Sequence, residues 1–396
     1  MNGTAMNGYD NQVIGVAFGN PMGFATFSGY SRHLFTAIKQ IGGLADTFSS
    51  KQIKPCDILT GCVNLRRIFH GKRPDISASW LWNPATVYKF SRRLALQLKD
   101  FPEDVPVLQV GTHVYPYKTA RPFYCVTDMT VKQAVIAGQF RIKHLNTIEV
   151  NQAIQVQKRM FDSNEKIFVL CEWTRASIIE DYGQDPQKVI VIGAGANMPA
   201  LEPSPQKFLS REILFVGYDW HRKGGPLLLE AFRLVKQKVA GATLNIVGCR
   251  PDIKEDGVNI IGSLQKVQPQ DMARLENLYT RAQCFCILPE FDPFPNVLLE
   301  AQINSTPVVS FKNGSRCDAV RDGLTGILVE RTNAQAVAEA LVYILSNSDK
   351  AQKMGQAAKK FVTENYTWPS IAKKIMSHIF EQHHARTVLP QAAAVN

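Results

Sequence analysis

PEFDPFPNVLLEAQINSTPVVS, Pro289–Ser310, is the most informative stretch of this chain. It follows an apolar run, Cys284–Leu288 (CFCIL), crosses an acidic, proline-rich loop, and starts a helix near Pro295 or Asn296 that reaches Asn304. A second β-branched run, Pro307–Phe311 (PVVSF), comes straight after it. Strand, loop, helix and strand in that order build a parallel sheet and leave the loop at the sheet's carboxyl edge. Two carboxylates are held there, Asp292 in the loop and Glu300 eight positions later, in the helix's first turn or so. Open α/β sheets bind ligands at that edge. A pair so placed suits hydrogen bonding to two sugar rings better than proton transfer. The N–H groups of the helix start, around Asn296, Val297 and Leu298, are placed to face a phosphate.

Outward from this stretch the same pattern repeats. Glu212–Gly217 (EILFVG), Thr243–Gly248 (TLNIVG), Val258–Gly262 (VNIIG) and Gly326–Val329 (GILV) read as strands. Leu227–Val239 and Pro269–Ala282 read as helices, the first with Leu228, Phe232, Val235 and Val239 on one stripe. The expected product is a doubly wound α/β domain. The N-terminal half shows it less cleanly: a strand over Val13–Phe18, a glycine-rich loop, a helix over Tyr30–Ile41, and strands at Val105–Val110, Phe123–Thr127, Lys166–Leu170 and Lys188–Ile192. Thr174 is expected to cap a helix ending at Tyr182. Asn197–Ser210 (NMPALEPSPQKFLS), rich in proline and without pattern, reads as a linker. The expected layout is a Rossmann-like domain over 1–196, a linker over 197–210, a second Rossmann-like domain over 211–366, and a closing helix over 367–384 with the first domain as one docking place. A tail over 385–396 completes it. Two such domains joined by a hinge are expected to hold a ligand in the cleft between them.

Composition bounds the function classes. A chain of 396 residues calls for two ordinary cores, and 45% hydrophobic with 20% charged residues is a globular balance. Lys and Arg number 45 against 34 Asp and Glu, a net +11 that points to an anionic partner. Nine Lys/Arg and two Asp fall in 54–99, a local +7, outside any recognisable nucleic-acid module, so no nucleic acid is expected. Within that stretch Pro84–Lys99 carries Val87, Phe90, Leu94 and Leu98 on one stripe, with Lys89, Arg92 and Arg93 off it. This fits either an ordinary core-facing helix or a peripheral contact with an anionic membrane. The eight cysteines show neither a C-x-x-C pair nor zinc spacing, so reduced, mostly buried thiols are expected. The chain opens without a basic segment followed by an apolar one, and no apolar run approaches the ~18 residues of a membrane span. The expected location is cytoplasmic, with the inner face of a membrane as a second option.

Three loops are placed where chemistry could occur. Gly193-Ala194-Gly195 follows a strand, but Met198 stands where the dinucleotide fingerprint needs its third glycine and Pro199 blocks a helix start, which argues against hydride transfer. Gly19–Gly29 (GNPMGFATFSG) lies between the first strand and a helix, where backbone N–H groups can meet a phosphate or a sugar hydroxyl. Val216–Gly225 (VGYDWHRKGG) brings Arg222 and Lys223 to the same sheet edge as Asp292 and Glu300, with glycines allowing close approach. A diphosphate needs such charge if no metal supplies it.

The succession LFVGYDWHRKGGPLLLEAF, TLNIVG, VNIIGSL, the Asp292–Glu300 segment with EAQINSTPVV, and DGLTGILV resembles the C-terminal domain of retaining glycosyltransferases of family 4 (glycosyl transferases group 1), which have the GT-B fold. FVLCEWTRASIIEDYGQDPQKVIVIGAGAN is similar to the segment that closes their N-terminal domain. The resemblance implies two Rossmann-like domains and transfer of a sugar, with retention and without a metal or cofactor, from a nucleotide-sugar donor to a sugar, lipid or small-molecule acceptor. It implies ribose binding for Glu300 and sugar contact for Asp292, which is Asp where the family has Glu. Lys223 matches the diphosphate clamp; the family's clamping Arg is Tyr218 here, with Arg222 as the stand-in. Pro295 replaces a glycine. Asp128, in PFYCVTDMTV, takes the place of a His near the transferred sugar, so the implied catalytic set is Asp128, Lys223 and Asp292. Gly23 and Phe24 match the acceptor-side loop, with His113 of GTHVYPY a further acceptor-side candidate, and Gly262 and Leu264 match the stretch flanking the nucleobase. The rival readings are a nucleotide-sugar-binding protein of this fold without catalysis, and a nucleotide-sugar epimerase.

Overall fold

The computed structural model describes residues 9–24, 26–51, 81–138, 142, 145–330 and 333–387. The chain divides into two compact units, one drawn from Met1–Gly193 and Ile371–Asn396, the other from Ala194–Ser370.

The first unit is built on β1 (Val13–Ala17), β2 (Leu44–Ser49), β3 (Val107–Val110), β4 (Phe123–Thr127), β5 (Lys166–Val169) and β6 (Val189–Val191). They form one sheet in the order β2-β1-β3-β4-β5-β6, every neighbouring pair parallel. All five residues of β1 are buried, as a parallel strand covered on both faces requires. The helix Pro84–Gln97 is opened by Asn83, whose side chain accepts from the Ala85 N–H. Its stripe is spent on the core: Phe90, Leu94 and Leu98 pack with Ile14, Val16 and Val107, while Arg92 stays exposed. Residues 52–80 of the basic stretch lie outside the described residues. The helix expected to start at Thr174 instead runs Glu172–Glu180 with Cys171 as its cap residue. Thr174 lies inside the helix and its hydroxyl donates to the Asp128 carbonyl at 2.6 Å. The edge strand β2 and the helices Val131–Ile136 and Thr147–Ser163 were not anticipated; both helices open with capping boxes, Thr130 with Gln133 and Asn146 with Glu149. The closing helix Trp368–Thr387 passes into this unit at Ile371, where Lys374 Nζ donates to the Val191 carbonyl at 2.6 Å.

The second unit holds β7 (Glu212–Val216), β8 (Thr243–Val247), β9 (Val258–Gly262), β10 (Cys284–Cys286), β11 (Val308–Phe311) and β12 (Gly326–Val329). The sheet order is β12-β11-β10-β7-β8-β9, again parallel throughout. The order reverses between β7 and β10, which opens a crevice at their carboxyl ends. The stretch 197–210 is packed into this unit: Leu201 N–H donates to Asn304 Oδ1 at 3.1 Å, and Lys207 is fully buried. No helix among the described residues is long and apolar enough to cross a membrane.

Candidate functional site

At the β7/β10 reversal the backbone itself places the first cation. Gly224 has φ +76°, and a Cβ there would lie 2.1 Å from the Leu288 carbonyl oxygen. Only glycine allows the β7 loop to come so close to the end of β10. The Leu288 N–H donates to the Lys223 carbonyl at 3.0 Å, so Lys223 is fixed against β10 by its own backbone. Its ammonium then hydrogen-bonds Asp292 Oδ2, and the Arg222 guanidinium lies 3.9 Å from the same oxygen. Asp292 is buried, and its carbonyl accepts from Ser315 Oγ at 3.2 Å. The helix Asn296–Ile303 starts after Pro295. The Leu298 N–H is spent on the Pro295 carbonyl at 2.9 Å, so of the three expected phosphate donors only Asn296 and Val297 keep N–H groups suited to a ligand. Asn296 Oδ1 is buried without a hydrogen-bond partner among the described residues.

Glu300 lies in the second turn of that helix, deeper than expected, and is 1% exposed. Lys266 Nζ sits 2.6 Å from Oε1, and the Tyr279 hydroxyl donates to Oε2 at 3.0 Å. Burial, reinforced by Glu300 beside it, pushes the Tyr279 phenol well above its ordinary range, so it stays a donor. Tyr279 is held in turn: its carbonyl accepts from Lys207 Nζ at 2.6 Å and from Thr306 Oγ1 at 3.1 Å. Lys207, Lys266, Tyr279 and Ser315 were all missed from sequence. Tyr279 looks like one more apolar position of its helix, and Lys266 like a loop charge three residues after Gly262–Ser263.

Gly262 takes φ +81°, and a Cβ there would meet Arg250 Nε at 2.6 Å; Leu264 is buried nearby in sequence. Tyr218 is 82% exposed and lines a cavity of about 770 Å³ with His221, Arg250 and Asp252. Lys223, Asp292 and Glu300 do not line it, so that cavity is distinct from the carboxylate cluster. Among the described residues no group of three or more His, Cys, Asp or Glu is arranged to hold a metal.

In the first unit the sheet order reverses between β1 and β3, and the loops after these strands carry Gly23, Phe24 and His113. Gly23 closes a turn through its N–H to the Asn20 carbonyl at 3.0 Å. Phe24 is 42% exposed under the Arg32 guanidinium, 4.1 Å from the ring centroid. His113 packs between the rings of Phe18 and Trp82, at 4.7 and 6.0 Å, an environment that favours a packing role. Asp128 follows β4, its carbonyl fixed by Thr174. Burial, with Asp128 adding to it, raises the Tyr30 phenol far above its ordinary value.

Residues 206–361, within the second unit, match the family model of glycosyl transferases group 1. The D-inositol 3-phosphate glycosyltransferase of Corynebacterium urealyticum is 24% identical over 244 residues, 56% of this chain and 57% of that protein. The chain thus spans little more than half the length of this curated relative. Among solved structures, the sucrose-phosphate synthase of Thermosynechococcus elongatus superimposes with a TM-score of 0.65 at 16% identity, covering 95% of this chain and 100% of that one. Anabaena Alr3699/HepE in complex with UDP and glucose gives 0.61 at 13% identity, over 93% and 99%. The two parallel six-stranded sheets have the GT-B fold of these structures.

Proposed function

We propose that this protein is a retaining, metal-independent glycosyltransferase that takes a sugar from a nucleotide-sugar and passes it to a sugar, lipid or small-molecule acceptor. The observation that carries the reading is the cluster Arg222, Lys223 and Asp292 at the carboxyl end of β7 and β10, with Glu300 in the second turn of the helix that follows. A diphosphate bound there meets the Lys223 ammonium, and Arg222 adds a second cation. Asp292, once the Lys223 ammonium is shared with phosphate, has an oxygen to accept from a hydroxyl of the sugar. Glu300 accepts from the ribose, and the stretch from Gly262 to Leu264 flanks the base. The N–H groups of Asn296 and Val297 add the positive end of their helix.

Bond breaking loads negative charge onto the leaving diphosphate. Fixed cations that bind this charge more tightly than the ground state lower the barrier. In the retaining course the departing phosphate oxygen takes the acceptor hydroxyl's proton on the face from which it leaves, so no side-chain nucleophile is required. By the family resemblance Asp128 is assigned to the transferred sugar and Gly23 and Phe24 to the acceptor side, while His113, packed against Phe18 and Trp82, has a supporting place there.

A second reading, a nucleotide-sugar-binding protein without catalysis, is favoured by one observation: Tyr218, exposed and uncharged, stands where the family's clamping Arg stands. Thermal-shift measurements with UDP, GDP, ADP and CMP, then with their sugars, identify the donor; UDP comes first because the Anabaena neighbour binds it. Release of free nucleotide from the stabilising sugar donor supports the transferase. Tight binding with no turnover on any acceptor supports the binding protein.

A further inference from the structure

In the proposed function Glu300 reads the donor ribose, and the inference here rests on that reading. Both carboxylate oxygens are already occupied by protein groups, Oε1 by Lys266 and Oε2 by Tyr279. The two partners differ in how readily they leave. Tyr279 has no exposure, stacks on Phe285 with ring centroids 6.1 Å apart, and is anchored through its carbonyl by Lys207 and Thr306. Removing its hydroxyl from Glu300 would require the core to open. Lys266 comes from the segment joining β9 to the helix Pro269–Arg281, and its side chain is 34% exposed. Among the described residues its ammonium pairs with Glu300. A lysine ammonium is strongly hydrated on a flexible stem, so its exit to water is the low-cost way to uncover Oε1.

We propose that Lys266 is a displaceable competitor for the ribose: a nucleotide gains Glu300 Oε1 by driving the Lys266 ammonium into solvent, while Tyr279 keeps Oε2. Lys266 thereby sets donor affinity without touching the reacting atoms. The ribose meets one carboxylate oxygen in a fixed orientation, because Tyr279 holds the other. Exchanging an ammonium for two hydroxyl donors also makes the affinity sensitive to salt through Lys266, since added salt weakens a partly exposed ion pair.

The test is calorimetric titration of UDP and GDP into the full chain as wild type, Lys266→Met, Lys266→Arg and Glu300→Gln, at low and moderate salt. Lys266→Met is expected to bind about three- to fivefold more tightly, the scale of a partly exposed ion pair, with the gain shrinking as salt rises. Lys266→Arg, which restores the charge, is expected to remove the gain. Equal or weaker binding by Lys266→Met overturns the competition, as does a gain that persists in Lys266→Arg. Lys266→Gln serves the same comparison if the methionine variant melts early. Glu300→Gln is expected to lose affinity; if it binds like wild type, the ribose assignment itself fails, and absence of binding by all four proteins removes the donor reading.

Discussion

Lys223 and Asp292 form a pair in which each group has a second use. In the proposed function the ammonium serves the diphosphate and the carboxylate accepts from the sugar, and the bond between Lys223 and Asp292 orients both groups at little cost in side-chain freedom. A diphosphate has to share that ammonium with Asp292 and finds no guanidinium at position 218. Tyr218 is exposed, so a change there leaves the core untouched. Tyr218→Arg is expected to tighten UDP or GDP binding by about tenfold, the value of a charge-assisted, forked contact, with an unchanged melting temperature; calorimetry and a thermal melt check both. At this scale the sequence exposed the charged members of the cluster, because Lys223, Asp292 and Glu300 fall at fixed places in a strand–loop–helix pattern. It concealed the groups that hold them. Lys266 and Tyr279 reach Glu300 only through the folded positions of a loop and a helix 34 and 21 residues away, and no local spacing encodes that.

The loop from β7 to the helix Gly225–Lys238 is the element on which the site turns. Its path depends on Gly224, left-handed and against the Leu288 carbonyl, and on the Leu288 N–H to Lys223 carbonyl bond. Gly224→Ala is expected to cost at least about 2 kcal/mol of unfolding free energy through backbone strain and the clash. It should also abolish nucleotide binding by moving Lys223; urea unfolding and calorimetry report the two effects, and a variant that is stable and binds normally would refute this account of the loop. Central strands such as β1 and β7 were legible because continuous apolar runs are buried on both faces. The edge strand β2 was not, since LADTFS is only half-buried and carries polar residues along its length. The helix Thr147–Ser163 was hidden by Gln157, a buried polar residue on its inner face. Gln157 accepts from the Val131 N–H and the Tyr182 hydroxyl, both at 2.7 Å, and so breaks the apolar period while serving the core. Thr174 was misread as a cap for the same kind of reason: its hydroxyl serves the Asp128 loop, a tertiary partner.

Across the whole molecule, the stretch that looked like a plain linker ties the second unit's core to its site through Lys207. Desolvation lowers the Lys207 ammonium to about 7, with Glu212 opposing the shift; an unfolded lysine titrates near 10.4. Between these values the folded protein binds fewer protons than the unfolded chain, so Lys207's contribution to stability is lowest below about pH 7 and rises towards pH 10. As a neutral amine it has two N–H donors, matched by the Tyr279 carbonyl and Thr306 Oγ1. The buried thiols act oppositely: Cys125 is pushed up to about 12 by burial, and stability from that source falls once unfolded thiols ionise above roughly pH 8.5. Between pH 6.5 and 8.5 the stability of wild type relative to Lys207→Met is therefore expected to rise by about 1–2 kcal/mol in urea unfolding; a flat difference would contradict the assignment. The most direct test of the central claim is nucleotide release from the sugar donor that stabilises the protein, compared between wild type and Lys223→Ala. Turnover by wild type with a drop of about 10²- to 10³-fold in the variant is the predicted result, the scale of losing one transition-state donor. Full activity of Lys223→Ala would contradict it.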